Sequence, residues 1–142
     1  MITFASTEVE MPPLSRFDYR DWIGRVAAGH GRVVGDVNYM FCDDPTILDY
    51  NRRFLGHDYF TDIITFDDDE GKTINGDIII SLDTVRSNSV QFGTSYEDEL
   101  DRVIIHGILH LCGINDKGPG EREIMETAEN AALNMRHNTT LS

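Results

Sequence analysis

Residues 99–113 read ELDRVIIHGILHLCG, and this stretch decides how the rest of the chain is arranged. At 100° per residue, Leu100, Val103, Ile104, Gly107, Ile108 and Leu111 fall on one apolar stripe. Ile105 and Leu109 carry apolar character round to the other side, so the second half of the helix is apolar nearly all round. That is the pattern of a helix buried inside a domain. The spacing predicts a helix over 96–112, capped by Thr94 with Glu97 or Ser95 with Asp98, and ended by Gly113 in a left-handed turn. Only His106 and His110 interrupt the apolar surface. Four residues apart, they project from the same face.

Working outward, alternating or β-branched runs predict strands over 2–5, 33–42, 61–66 and 76–81. The last is apolar enough to be central in a sheet. Helical spacing predicts helices over 17–28, 45–54, 82–90 and 121–136. Asp43, Asp44 and Pro45 start the second of these. The last would set Ile124, Ala128, Ala131, Ala132 and Met135 on one face. The expected fold is α+β (α/β-like): one domain over 1–142, a mixed sheet of about four strands and about five helices. The site would sit at the C-terminal half of the buried central helix.

Composition limits the partners. The 142 residues carry 25 acids against 12 lysines and arginines, a net charge of −13. Such a balance argues against broad electrostatic binding to nucleic acid or to anionic membranes. The acid excess is uneven, about −3 over residues 1–60 and −10 over 61–142, so an anionic substrate should meet the first half or a bound cation. Two cysteines, Cys42 and Cys112, do not make a disulfide framework. The start has no signal-peptide pattern, and no run approaches the roughly 20 apolar residues that span a bilayer. A soluble cytoplasmic protein with no membrane partner is the expectation.

Buried imidazoles need partners. Two neutral rings at this spacing can converge on one metal ion, with zinc a favoured choice. Gly113 allows the chain to turn back, and Asp116, ten residues past His106, is the nearest strong third ligand. A histidine pair at i, i+4 is by itself more often structural or incidental; the buried setting, the glycine and the acid favour a metal site. Gly107 costs about 1 kcal/mol against alanine in mid-helix, so it implies tight packing or the close approach of a backbone or substrate. Cys112 points to another face and reads as core. Zinc proteases of the HExxHxxGxxH type share the spacing but need a glutamate where Gly107 stands. The spacing therefore supports metal binding better than proteolysis.

The segment HGILHLCGIND at 106–116 resembles the H-G-x-L-H-L-x-G-Y-D-H signature of the YbeY family of bacterial ribosomal-RNA maturation factors. Residues 51–66, NRRFLGHDYFTDIITF, resemble that family's L-N-x-x-Y-R-x-x-D-x-P-T-D-V-L-S-F block, and GDIIIS at 76–81 its G-D-I-x-I-S strand. The resemblance implies a single-domain α+β fold. It also implies a metal-dependent, single-strand-specific endoribonuclease acting in ribosomal-RNA processing, notably at the small-subunit RNA 3′ end, and in ribosome quality control. The family's three ligands fall on His106, His110 and, without a gap, Asp116. Aspartate in place of the third histidine keeps a ligand but shifts preference toward harder ions. A one-residue slip would put Lys117 there, which cannot serve.

The family's arginine after the aromatic falls on Leu55. Arg52 and Arg53 are the candidates to replace it, against a reading of both as solvated surface residues. Phe60 replaces the proline before Thr61. Asp62 and Asp77 fit the T-D and G-D positions; either could orient a ligand histidine. For Asp62, turn and strand-end chemistry is the favoured role. The acidic run at 67–70 reads as a solvated hairpin loop. His30, His57 and His137 read as surface.

The resulting expectation is a zinc-dependent endoribonuclease with single-stranded RNA as substrate and a small-subunit or guiding protein partner. Two alternatives stand beside it: a zincin-like metalloprotease, and a non-catalytic ribosome assembly factor with a structural metal.

Overall fold

The computed structural model describes residues 1–57 and 61–136. In chain order these form β1 (Ile2–Ser6), α1 (Tyr19–Gly29), β2 (Val33–Cys42) and α2 (Asp44–Tyr50), which runs into a π turn (Asn51–Leu55). They continue as β3 (Ile63–Asp67), β4 (Thr73–Ser81), α3 (Leu82–Phe92), α4 (Tyr96–Leu111) and α5 (Glu121–Asn134). The sheet order is β1-β2-β4-β3. β1, β2 and β4 are parallel, and β3 runs antiparallel at the edge. This is the expected α+β architecture, a four-stranded mixed sheet with five helices, and β4 is central. Phe60 and His137 lie outside the described residues.

Alternation along the strands sorts side chains between two faces. Val37, Tyr39 and Phe41 of β2 and Ile74, Ile78 and Ile80 of β4 enter the main core, with α1, α3, α4 and α5 packed over them. The other face carries a smaller cluster, Cys42, Ile64 and Ile79, covered by Ile47 of α2. The sheet is therefore thickly covered on one side and only partly on the other.

Helix α4 is the buried helix of this core. Ser95 caps it, its side chain accepting from the Asp98 amide at 3.0 Å. Gly113 follows it at φ +99°. The cost of Gly107 is explained by packing: a Cβ there would stand 2.9 Å from Ile78 Cδ1 and 3.2 Å from Ile63 Cδ1. The helix is pressed directly onto β3 and β4. On its N-terminal half, Asp101 is fully buried and accepts from Arg16 (2.7 Å), the Tyr19 hydroxyl (2.6 Å) and Arg136 (2.7 Å). Burial and the Asp101 contact push the Tyr19 phenol far above its ordinary value.

Two expectations are corrected. The helix predicted over 45–54 turns wide at Asn51, and the turn ends at Gly56 (φ +67°). Tyr50 and Phe54 then stack, with ring centroids 5.6 Å apart, an interaction that hydrophobic periodicity alone does not reveal. Second, α5 docks through Met125, Glu129, Ala132 and Leu133, whereas Ile124 is 61% exposed and Ala131 is also exposed. Its alanine-rich sequence marks the stripe weakly, and packing against α4 chose the rotation. Cys42 and Cys112 are free, and burial raises their thiols to about 12 and about 11. No described helix is long and apolar enough to cross a membrane.

Candidate active-site cleft

Residues four and seven apart on a helix share a face. Glu99, Val103, His106 and His110 of α4 follow that spacing and line one cleft of about 730 Å³. The start of β3 forms a second wall, through Asp62, Ile63 and Thr65. The loop after α4 brings in Asp116 and Lys117, and α5 brings in Glu129. All three predicted ligands, His106, His110 and Asp116, thus face the same space.

Their mutual geometry is partial. His106 Nε2 lies 3.4 Å from Asp116 Oδ2. Among the described residues no three His, Cys, Asp or Glu side chains converge closely enough to hold an ion. His106 is held from behind: its Nδ1 lies 2.7 Å from Glu129 Oε2. Burial pulls the His106 pKa down, but the hydrogen bond to Glu129 and the charges of Glu129, Asp116 and Asp62 outweigh it and raise the net value. Glu129 shows the reverse balance. Burial opposes its charge, while His106 and Arg102 (Nη1 to Oε1, 2.8 Å) overcome that and lower its pKa. An ionised carboxylate only accepts, so Nδ1 carries the proton and Nε2 is turned toward Asp116 and the cleft.

Other carboxyls in the cleft are less comfortable. Burial raises the pKa of Asp62; the charge of His106 opposes this, and Glu129 and Asp116 add to it. The Asp62 main-chain carbonyl accepts from the Ser81 amide at 2.9 Å, and the residue lines the cleft. Glu99, 5% exposed, is also raised by burial.

The remaining candidates fall elsewhere. Asp77 lies on the opposite face of the sheet, where Asn38 Nδ2 donates to it at 3.1 Å. Strand alternation puts it there: Ile78, the next residue, points at Gly107. It therefore cannot orient His106. Arg52 and Arg53 are exposed, and Arg53 pairs with Asp49 at 3.1 Å. Neither is among the residues lining the cleft, whereas Leu55 and Asn51 are. His57 is exposed as expected but stands on the cleft lining. The reading of the sequence missed Glu129, Glu99 and Arg102. An acid on the Met125–Ala132 side of α5 was the available signal for Glu129. For Glu99 and Arg102 the signal was their spacing of seven and four residues before His106.

A family model described as Endoribonuclease YbeY matches residues 6–137. The chain belongs to the YbeY endoribonuclease family. It is 58% identical over 135 residues to the endoribonuclease YbeY of Bacteroides thetaiotaomicron, covering 95% of this chain and 98% of that protein. It is 61% identical over 133 residues to that of Phocaeicola vulgatus, covering 94% and 96%. The fold is similar to the solution structure of TM1509 from Thermotoga maritima. That match has a TM-score of 0.66 and 25% identity over 97% of this chain and 90% of that one.

Proposed function

We propose that the protein is a divalent-metal-dependent, single-strand-specific endoribonuclease acting in ribosomal-RNA maturation, with zinc as the metal and His106, His110 and Asp116 as its ligands. One observation supports the site assignment best: His106 Nε2 and Asp116 Oδ2 lie 3.4 Å apart in the cleft that His110 also lines, with His106 held by Glu129. The donor set of two imidazoles and a carboxylate fits a divalent ion. A bound ion would supply Lewis acidity toward a phosphate oxygen and toward water.

The chain's own residues do the rest. Glu129 fixes the tautomer and ring plane of His106, and Arg102 fixes Glu129. Asp62, its pKa raised by burial, lines the same cleft and would take a proton from an attacking hydroxyl. Lys117 and Arg122 line the same cleft and are suited to hold phosphate oxygens. The single-domain extent over 1–142, a cytoplasmic location and a small-subunit or guiding protein partner belong to this reading. The net charge of −13 supports the need for such a partner, because the surface alone attracts RNA weakly.

The test is paired. His106→Ala should lose both stoichiometric metal, read by elemental analysis, and cleavage of single-stranded RNA. Retention of metal in that variant would sink the ligand assignment. Metal loss with cleavage retained would sink the metal-dependent mechanism.

A further inference from the structure

We propose that the groove on the opposite face of the sheet is a base-binding subsite for the RNA strand as it leaves the catalytic cleft. The inference rests on the endoribonuclease reading and adds a second place of contact. The groove has a volume of about 410 Å³. Tyr50, Phe54 and Phe66 form its aromatic part, and Thr3, Asn38 and Asp77 its polar part.

The aromatic part is shaped for a flat ring. Phe54 stacks on Tyr50 and meets Phe66 edge-on, at 6.0 Å and 82°. Phe54 is nevertheless 60% exposed, a large apolar surface left at the mouth. Unpaired bases gain affinity by stacking on such rings, a contribution that comes from the base face and not from the phosphate charge. That suits a chain of this charge. The polar part reads an edge. Thr3 Oγ1 donates to Asn38 Oδ1 at 2.5 Å, and Asn38 Nδ2 donates to Asp77 Oδ1 at 3.1 Å. The donors run toward Asp77, which as a carboxylate only accepts. The groove therefore offers an acceptor to a ligand bearing N–H groups. Among RNA bases, guanine presents two adjacent N–H donors on its Watson–Crick edge.

The cleft and the groove flank one ridge, made by the π turn and β3. In the π turn, Asn51 and Leu55 line the cleft while Tyr50 and Phe54 line the groove. In the edge strand β3, Ile63, Ile64 and Thr65 line the cleft while Phe66 lines the groove. Arg52 and Arg53 are exposed in the π turn of the same ridge, and phosphates crossing it would meet Arg53. The Arg53–Asp49 pair is solvated on both sides and yields readily to a phosphate.

The test is fluorescence anisotropy with a labelled single-stranded 12-nucleotide RNA in EDTA, which suppresses cleavage. Phe54→Ala should weaken binding about tenfold, and Asp77→Asn should remove a preference for a guanine-containing over an all-adenine strand. Ile124→Ala, an exposed apolar truncation outside both sites, should bind as wild type. An unchanged affinity in Phe54→Ala overturns the subsite while leaving the nuclease reading intact. So does a result in which Phe54→Ala alters only self-association, which would assign the groove to a second copy of the chain. Failure of the unaltered protein to bind or cleave RNA overturns the nuclease reading itself.

Discussion

His106 and Glu129, 23 positions apart, are joined by a 2.7 Å contact between Nδ1 and Oε2, and this contact aims Nε2 at Asp116. It ties α4 to α5 directly behind an imidazole that lines the cleft. Carboxylates behind ligand histidines commonly set both tautomer and basicity. Glu129→Gln keeps the shape and removes the charge. Its affinity for zinc or cobalt, measured by chelator competition, should fall about 10–100-fold with the fold retained. Unchanged affinity would show that the contact is only structural.

Asp116 stands where the family signature has histidine. A carboxylate favours harder ions than imidazole does. Asp116→His should therefore raise the preference for zinc over manganese in a competitive titration. A variant that binds both metals in the wild-type ratio would place the third ligand at another residue.

Gly107 lies where α4 touches the sheet. Alanine there would bring a methyl group to 2.9 Å from Ile78 and 3.2 Å from Ile63. Overpacking costs about 1–3 kcal/mol and alanine recovers about 1 kcal/mol of helix propensity, so the net loss should be at most about 2 kcal/mol. Thermal unfolding should show Gly107→Ala melting below the unaltered protein. A higher melting temperature would mean that the helix can lift off the sheet without strain.

Glu99 is nearly buried, and its pKa is raised by burial, with Asp62 and Glu129 adding and Arg102 opposing. The folded state therefore holds this proton more tightly than the unfolded state. Its contribution to stability is present at low pH and is lost as pH rises from the unfolded pKa through the folded one. Glu99→Gln removes the charge that becomes costly. In chelator, its urea midpoint should exceed that of the unaltered protein at pH 7.5, and the gap should shrink toward pH 4.5. A gap that does not change with pH would mean that the carboxyl is already solvated.

Local periodicity was enough to read the elements, the central place of β4, the burial of α4 and the shared face of His106 and His110. Helix spacing and strand alternation are properties of neighbouring residues, so a sequence carries them directly. Even the reason for Gly107, tight packing, was among its readings. What lay beyond the sequence depended on how elements meet. Asp62 and Asp77 both looked like partners for a histidine, but strand register sent Asp77 to the far face and left Asp62 in the cleft. Along α5, the alanine-rich stripe suggested a face holding Ile124, and docking against α4 turned Met125 and Glu129 inward instead. The sequence by itself determined the fold class and the histidine pair, because both are set by apolar spacing along single elements. The tertiary structure alone decided which carboxylate clamps His106, and that the cleft and the aromatic groove share one ridge. Both depend on docking between segments distant in sequence, where a rotation of one residue exchanges the buried side chain.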